Sequence, residues 1–535
     1  MGTFVTFARM LLWLRTIRYV RRSQITWRIW RKLYRPKVPV LGPVDLKPLA
    51  ATWMGAERAP SLLGPNSACY LNNTQDLTRA DIWNAPDLPK LWLYNVHYFD
   101  DLLARDADAR SDWHMALISR WMAENPAPNG NGWEPYPTSL RIVNWVKWIL
   151  SGNHLPEGGT QSLATQAAWL SRNLEYHLLG NHLFANAKAM VFAGAVFEGP
   201  DAARWLAQGL EILARELPEQ TLPAGGQFEL SPMYHALFVE DLLDLVQVAD
   251  LTSGIPAAQV VDWRKATAKA LGWMQGLTHP DGGIAFFNDA AFGISAEPHA
   301  LEAYGNALGI KPTDTGPDFD GYVRLQSGPA VLIADTAPIG PDYLPGHAHA
   351  DSLSFELSLA GLRVIVNGGT SVYGGDMTIR QAERCTPAHN TVTVDDQNSS
   401  EIWSAFRVAR RASIVERDIQ TAEPQQIMAA HDGFRRSGGP LHRRKWVLDA
   451  NRLTIKDSLE GSWQTATARI RLHPPHTLVG GRIDGPWPIR VACSGATLRT
   501  EDGFWAPEFG KRVPCQILCM DFTGPEASIT LSWEG

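Results

Sequence analysis

From about residue 88 to residue 280, apolar side chains recur every three or four positions, which is the period of an amphipathic α-helix. Short breaks rich in Pro, Gly and Asn, such as residues 125–132 and 222–226, separate the periodic segments. The pattern therefore predicts a run of paired helices without intervening strands, over residues 112–122, 139–150, 161–170, 182–197, 202–217, 232–251 and 257–277.

Around residue 315 the pattern changes to short runs of β-branched and apolar residues, which are typical of strands. A run of helices followed by a run of strands indicates two segregated units, so we predict an α+β multidomain fold with an antiparallel β-sandwich after the helices. The predicted strands are 322–326, 330–334, 353–359, 362–367, 390–394, 466–472 and 529–533. The predicted domains are a basic amphipathic segment (1–40), a helical domain (41–315) and a β-sandwich domain (316–535).

Composition excludes some classes of function. A net charge of −6 and a pI near 6.2 argue against a nucleic-acid partner, because such proteins carry a basic surface. The five cysteines are odd in number and widely scattered, so neither a zinc ribbon nor a disulfide framework is predicted. Any anionic ligand must therefore be met by a local basic patch.

The N-terminus is strongly basic, because residues 1–37 carry ten Arg or Lys and no acidic residue. A basic helix with Leu and Trp is typical of a peripheral contact with an anionic membrane surface. The alternative is that it docks on its own protein. No stretch has the ~18 apolar residues of a membrane-spanning helix, and no signal peptide is predicted. The expected location is cytoplasmic or periplasmic, with membrane association through this segment as one option.

Residues 346–357 hold the first candidate for chemistry. If this segment is a strand, His347, His349 and Asp351 lie on one face, because side chains alternate. Two imidazoles and a carboxylate bring nothing to packing, so their convergence indicates a site. The alternative is a polar strand end with both histidines in solvent.

Two helix starts also carry polar side chains. Asn181 follows Gly180 as a predicted cap residue, with His182 beside it, where the helix dipole favours an anion. Tyr234 falls in the first turn of a helix capped by Ser231, where the dipole would lower its pKa toward acid–base use. The alternatives are a capping Asn and a structural Tyr.

Further along, Arg380 and Arg384 precede His389 and could clamp carboxylate or sulfate groups, or form ordinary surface pairs.

Taken together, these motifs resemble the heparinase II/III-like polysaccharide lyase superfamily. The resemblance rests on Asn181-His182, Tyr234, the 346–351 segment and Ala388-His389-Asn-Thr, and extends to Trp133-Glu-Pro-Tyr-Pro, the 175–182 segment and Arg380-x-x-x-Arg384. It implies an incomplete (α/α) toroid followed by a β-sandwich, with the active site in the cleft between them.

The resemblance further implies cleavage of a uronic-acid-containing polysaccharide by β-elimination. Asn181 would hold the uronate carboxylate. Tyr234 would protonate O4, with action as the base as a second option. His182 and His347 would be the imidazole partners, one of them a base. Glu229, Trp133, Arg380 and Arg384 are the predicted substrate-binding residues.

The resemblance also implies one zinc or other divalent cation with a structural role in the β-domain. Its ligands would be His349, His389 and Asn367. Family members commonly have Asp at the last position, and a neutral amide oxygen is a weaker ligand than a carboxylate.

Two other functions compete with the lyase, which we rank first. One is a non-catalytic carbohydrate-binding factor in exopolysaccharide production. The other is a glycoside hydrolase, which needs a pair of carboxylates across the cleft; Glu134, Glu229 and Asp289 are available.

Overall fold

The computed structural model describes residues 2–49 and 53–534, with the side chains of the first helix described from residue 9 onward. The helices are α1 (Gly2–Ile17), α2 (Arg22–Leu33), α3 (Lys90–Tyr98), α4 (Ser111–Glu124), α5 (Pro135–Leu150), α6 (Gly159–Leu170), α7 (Gly180–Val196), α8 (Gly199–Gln220), α9 (Pro232–Leu251), α10 (Ala257–Gly276), α11 (Pro298–Ala307) and α12 (Met377–Arg384). All seven helices predicted from periodicity are present.

The helical domain is an incomplete (α/α) toroid built around α7. Nearly every residue of α7 is buried, as expected for a helix that is apolar on all sides and packs against α5, α8 and α9. Two glycines permit the close approach of α7 and α8. A Cβ at Gly194 would lie 2.4 Å from the backbone nitrogen of Leu206, and one at Gly209 would lie 2.7 Å from the carbonyl oxygen of Ala187.

The strands are β1 (Leu62–Gly64), β2 (Ser67–Tyr70), β3 (Asn73–Asp76), β4 (Asp318–Phe319), β5 (Tyr322–Ser327), β6 (Ala330–Asp335), β7 (Phe355–Leu359), β8 (Leu362–Ile365), β9 (Val392–Val394), β10 (Ile402–Trp403), β11 (Arg407–Val408), β12 (Ile414–Gln420), β13 (Gln425–His431), β14 (Leu441–Asp449), β15 (Arg452–Glu460), β16 (Ala466–Arg471), β17 (Thr477–Val479), β18 (Arg482–Asp484), β19 (Ile489–Ser494), β20 (Thr497–Glu508), β21 (Lys511–Phe522) and β22 (Glu526–Trp533). Each of the seven predicted strands is present, with shifted ends.

After the toroid, the strands form an antiparallel β-sandwich. Its sheets have the orders β12-β13-β14-β15-β22-β19-β18-β17, β20-β21-β16-β9 and β4-β5-β6-β7-β8. One apolar core joins the three sheets, with Phe355, Trp446 and Leu518 as members from each of them. In a second cluster, Trp273 of α10 packs with Tyr322 and Ile333 of the five-stranded sheet, so the toroid and the sandwich share an apolar interface.

The segment around His347 is not the strand that alternation suggested. Residues 341–354 form turns, and the regular strand β7 begins only at Phe355. Backbone groups here bond to side chains and to a distant loop: Arg384 donates to the carbonyl of Ala348, and the amide of Ala350 donates to the carbonyl of Arg384 at 3.0 Å. The expectation that His347, His349 and Asp351 share a strand face is therefore wrong.

The basic N-terminal segment docks on both domains. On the sandwich side, Arg15 of α1 pairs with Glu401 at 2.6 Å, and Trp403 donates to the hydroxyl of Thr16 at 3.0 Å. On the other side, the buried amide of Gln24 in α2 donates to the carbonyls of Leu178 and Tyr343, at 3.3 and 3.4 Å. Within residues 2–49 and 53–534, no helix has the length and apolarity needed to cross a membrane.

Candidate active site

A buried carboxylate, Asp289, organises the cleft between the two domains. It lies in the loop between α10 and α11, and its oxygens accept from His347 Nδ1 and His349 Nε2, each at 2.9 Å. Arg380 of α12 binds both oxygens from the sandwich side. Burial by itself would raise the pKa of Asp289, but Arg380 and the two imidazoles outweigh it and hold that pKa well below its usual value. Asp289 is therefore an anion and accepts hydrogen bonds only.

This anion fixes the tautomer of His347. Because a carboxylate cannot donate, the proton of the His347–Asp289 contact belongs to Nδ1 of the imidazole. In the neutral imidazole the other nitrogen, Nε2, carries the lone pair, and it lies 3.6 Å from a carboxyl oxygen of Glu229. His347 is thus oriented as a proton acceptor, in the arrangement that a general base requires.

Tyr234 lies directly against this imidazole. Its ring stacks on that of His347 with centroids 3.7 Å apart, and the hydroxyl of Tyr373 donates to its phenol oxygen at 3.1 Å. The predicted helix start is confirmed, since Ser231 accepts from the backbone N–H of Tyr234 at 3.2 Å. The predicted lowering of its pKa is wrong: burial raises the pKa of Tyr234 well above its usual value. The phenol therefore keeps its proton and is suited to act as an acid.

His182 lies against Tyr136, which lines the cleft. Its Nδ1 lies 3.2 Å from Glu175, and its ring lies 4.6 Å from that of Tyr136. Burial would lower the pKa of His182, but the charge and hydrogen bond of Glu175 more than offset this and raise it. Burial also raises the pKa of Glu229, which lies close enough to both His182 and His347 to interact with their charges. His182 thus favours the cationic form.

Asn181 does not cap α7 as predicted. The residue before the helix is Leu179, which has a φ of 67° and provides no side-chain cap, so Asn181 lies inside the first turn. Its side chain lines a small cavity, of about 20 Å³, together with Tyr136 and Tyr234. Asn181 is therefore adjacent to the residues that would carry the chemistry.

The pocket opens into a cleft of about 460 Å³. Tyr136 and Tyr234 line it from the toroid, and Tyr373 and Phe509 line it from the sandwich. The cations along it are neutralised by carboxylates, as shown by the pairs Arg58–Glu240, Lys147–Asp244 and Lys188–Asp241. The cleft is thus rich in aromatic and polar groups but carries little unpaired positive charge.

Comparison with known proteins assigns this arrangement to a family. Residues 104–313 match the model of the heparinase II/III N-terminus, and residues 316–534 match the heparinase II/III-like C-terminal model. The chain belongs to the heparinase II/III-like superfamily. Together the two models cover the toroid from α4 onward and the whole sandwich.

Curated relatives of this family member are heparin-sulfate lyases. The one from Bacteroides stercoris is 26% identical over 424 residues, which are 71% of this chain and 61% of the relative. The one from Bacteroides thetaiotaomicron is 27% identical over 340 residues, 53% of this chain and 48% of the relative. The chain thus spans at most about three fifths of the length of these relatives.

Solved structures of lyases share the fold of this family member. The crystal structure of heparinase III has a TM-score of 0.68 at 18% identity, covering 84% of this chain and 79% of that one. That of heparan sulfate lyase HepC from Pedobacter heparinus has a TM-score of 0.56 at 18% identity, covering 88% and 81%. The toroid-plus-sandwich architecture expected from the sequence is confirmed.

Three predicted substrate-binding residues of this family member are buried beneath the cleft. Trp133 is 5% exposed and donates its indole N–H to the carbonyl of Asn125 at 2.9 Å. Arg384 donates to the backbone carbonyl of Ala348 in the 346–351 segment, and Arg380 forms an ion pair with Asp289. Their burial contradicts direct contact with a sugar; they support the walls of the cleft. Glu229, also buried, remains next to both imidazoles.

The predicted metal ligands only partly fit a metal. His349 Nδ1 and His389 Nε2 lie 3.1 Å apart, and since His349 donates from Nε2 to Asp289, a hydrogen bond from His389 accounts for this contact. Asn367 accepts from the backbone N–H of Asn390 at 3.2 Å, so its amide oxygen is engaged. Within residues 2–49 and 53–534, no group of three His, Cys, Asp or Glu could hold a metal.

Sequence reasoning missed several groups that the fold brings to the pocket. Tyr373 belongs to no motif, and its contact with Tyr234 spans 139 residues of chain. Asp289 was considered only as one carboxylate of a hydrolase pair. Glu175 was named only as part of the 175–182 segment; it lies in the turn before α7, so no helical spacing pairs it with His182.

Proposed function

We propose that this protein is a polysaccharide lyase that cleaves a uronic-acid-containing polysaccharide by β-elimination. The observation that carries the proposal is the stacked pair of Tyr234 and His347: the phenol lines the cleft and keeps its proton, and Asp289 holds the imidazole through Nδ1, which leaves Nε2 for the substrate. β-Elimination needs an acid and a base within reach of one sugar ring. The relatives and structural neighbours that are lyases support the same reaction.

The reaction begins with neutralisation of the uronate carboxylate, which makes the proton on C5 acidic. Asn181 would donate to the carboxylate through its amide, and His182 would offset its charge, because Glu175 favours the imidazolium form. Both residues lie in the first turn of α7, where the partial positive charge of the helix N-terminus adds to the attraction.

His347 is the base in this proposal. Its Nε2 takes the C5 proton, the C5–H electrons form the C4=C5 double bond, and the C4–O4 bond breaks. Asp289 stabilises the resulting imidazolium through Nδ1. His182 is less suited to this step because its raised pKa favours the protonated form.

Tyr234 is the acid. Its phenol proton passes to the leaving O4, and the hydroxyl of Tyr373 stabilises the phenolate that forms. One proton transfer to His347 and one from Tyr234 complete the reaction. One product then carries a C4–C5 unsaturated uronate, and the other carries a free O4 hydroxyl.

The charges of the cleft favour a weakly charged substrate. Arg58, Lys147 and Lys188 are the cations along it, and all three are paired with carboxylates. A sulfate group would find no unpaired cation among these three. We therefore expect polymers that carry uronate without sulfate to be turned over faster than heavily sulfated ones.

The test is the ultraviolet absorbance of the unsaturated uronate, followed over time with a panel of polymers. Polyglucuronate, hyaluronan, alginate, heparan sulfate and bacterial exopolysaccharides form the panel. A rise with one polymer, lost in Tyr234→Phe, confirms the lyase and identifies its substrate. Binding of a polymer without any rise would instead support the carbohydrate-binding factor.

A glycoside hydrolase is not supported by the geometry. Asp289 is buried and already bound by Arg380 and two imidazoles, and Glu134 accepts from Lys90 and Tyr94 outside the pocket. A carboxylate pair across the cleft, which hydrolysis needs, is thus not formed from Asp289 and Glu134. New reducing ends without the chromophore would contradict this reasoning.

Two further expectations stay predictions. A structural cation at His349, His389 and Asn367 would be revealed by metal analysis of the purified protein and by a lower Tm after chelation. Peripheral membrane contact through residues 1–37 draws support from the exposed side chains Met10, Leu14 and Ile17 beside basic residues. Sedimentation with anionic vesicles tests it.

A further inference from the structure

A second cavity, separate from the catalytic cleft, lies between α2 and the outer surface of the toroid. It encloses about 670 Å³. Trp27, Trp30 and Tyr34 line it from α2 and the residue that follows, and Trp169 and Tyr176 line it from the toroid. We call this cavity the aromatic groove. Flat apolar faces with polar edges are suited to sugar rings, which present C–H faces framed by hydroxyls.

The docking of α2 on the toroid leaves part of these aromatic rings exposed. Contact with the toroid is made by the buried Gln24 and by Trp27, whose ring stacks on Tyr176 with centroids 4.7 Å apart. Trp30 remains 50% exposed and Tyr34 41% exposed, and the two rings stack on each other at 5.2 Å. Two paired aromatic faces thus remain open, although burying them would be favourable.

The same groove is cationic. Arg31, Arg35 and Arg172 line it, and none of the residues lining it is acidic. Among the described residues, none of the three guanidinium groups forms an ion pair with a carboxylate, although Arg31 donates to His177. The groove therefore differs from the catalytic cleft, whose cations are neutralised. Guanidinium groups bind carboxylate and sulfate oxygens with two parallel hydrogen bonds, which makes this charge a specific attraction for an acidic glycan.

One loop separates the aromatic groove from the catalytic pocket. Arg172 and Tyr176 of this loop line the groove, while the adjacent Glu175 holds His182 in the pocket. A chain bound in the groove would thus lie next to the wall of the pocket.

We propose that the aromatic groove is an accessory binding site for an acidic polysaccharide. The polymer class rests on the proposed function. The groove holds a stretch of the chain away from the bond that is cleaved: the aromatic rings contact sugar faces and the arginines contact carboxylates. A membrane surface fits less well, because a flat bilayer cannot enter a recess whose far wall includes Trp169 and Tyr176.

The test uses the full chain with Tyr234→Phe, so that bound polymer is not degraded. The charge variant is Arg35→Glu with Arg172→Glu, two exposed side chains whose reversal leaves the fold intact. Trp30→Ala removes a sugar-stacking face without changing charge. The matched control is Arg482→Glu with Arg490→Glu, two exposed arginines paired across β18 and β19 of the eight-stranded sheet.

Affinity electrophoresis through gels containing each polymer of the panel measures binding directly. One or more polymers of the panel should retard the parent chain in the gel. We expect the charge variant to bind such a polymer at least about tenfold more weakly, as the loss of two charge-assisted contacts implies. Trp30→Ala should also weaken binding, and the control should not. In chains with Tyr234 intact, the loss should appear in the KM for the polymer rather than in kcat.

The outcomes separate this site from the proposed function. Weaker binding in the groove variants supports the accessory site even if no unsaturated uronate is ever formed. Unchanged binding overturns it even if the protein is a lyase, and so does a parent chain that no polymer in the panel retains. Loss of sedimentation with anionic vesicles, with polymer binding unchanged, would assign the groove to a membrane and likewise overturn the proposal.

Discussion

Replacement of Asp289 by Asn tests the central argument about the pocket. The amide is nearly isosteric, but it removes the charge that fixes the proton of His347 on Nδ1 and leaves Arg380, which is fully buried, without an anion. An amide N–H facing Nδ1 would favour the tautomer with the proton on Nε2, which cannot accept the C5 proton. Loss of a general base costs about 10²–10⁴ in rate, or about 3–5 kcal/mol of transition-state stabilisation.

The same substitution should also destabilise the fold. Breaking a buried ion pair by removing one partner costs about 3–5 kcal/mol, because the other charge stays buried and uncompensated. The two effects are separated by a matched control in the eight-stranded sheet. There Asp457, also fully buried, accepts from His442 at 2.8 Å and from Arg444 at 2.7 and 2.9 Å. Asp457→Asn removes an equivalent buried charge from a carboxylate that contacts His442 and Arg444 and neither imidazole of the pocket.

The assay combines urea unfolding with initial rates of chromophore formation, measured where each variant is folded. Both variants should lose comparable free energy of unfolding. Only Asp289→Asn should lose kcat, while Asp457→Asn keeps it. If folded Asp289→Asn retains more than about a third of the parent kcat, the general-base assignment of His347 is refuted, since that role accounts for a factor of at least about 10².

Three further predictions follow from the pocket and the core. Tyr234→Phe should abolish turnover while polymer binding stays nearly intact, since the ring still stacks on His347; substantial residual activity would remove the phenol from the mechanism. Glu175 raises the pKa of His182, so Glu175→Gln should lower that pKa. The alkaline limb of the pH profile of kcat/KM should then move to lower pH. An unchanged limb would contradict a cationic His182. Burial lowers the pKa of His235 and of His349 to about 4 from a usual value near 6.5. These imidazoles take up protons at a higher pH in the unfolded chain than in the folded one. The free energy of unfolding should therefore fall as pH drops from about 6.5 toward 4. His235→Gln should flatten that slope in urea titrations, and an unchanged slope would exclude His235 as a contributor.

Long periodic segments were the most predictable part of the fold. The helix over residues 232–251 was predicted with its bounds, because Ser231, Pro232 and a clear apolar stripe all agree. The loop at His347 misled the same reasoning, because His-Ala-His-Ala-Asp alternates with the period of a strand. Its backbone is held instead by Arg384 and by residues 288–289, which lie far away in sequence.

Site residues could be predicted where the neighbouring sequence marks them. Contacts between segments far apart in the chain could not be predicted. Asn181-His182 and Tyr234 lie at helix starts, which sequence reveals. The contact of His347 with Asp289 spans 58 residues, and no periodicity reports such a pairing. The sign of the Tyr234 pKa shift was also beyond reach, because it is set by burial, which depends on the assembled fold.

The ion pair between Asp289 and Arg380 has a consequence for the order in which the site is assembled. Asp289 belongs to the toroid half of the chain, whereas Arg380 and His347 belong to the sandwich half. During synthesis the toroid emerges first, complete with Tyr234 and His182 but lacking any base in the correct tautomer. Proton abstraction becomes competent only when the second half has folded and docked. The proposed lyase activity would thus require both halves of the chain, and we expect a chain halted before α12, which lacks Arg380, to be inactive.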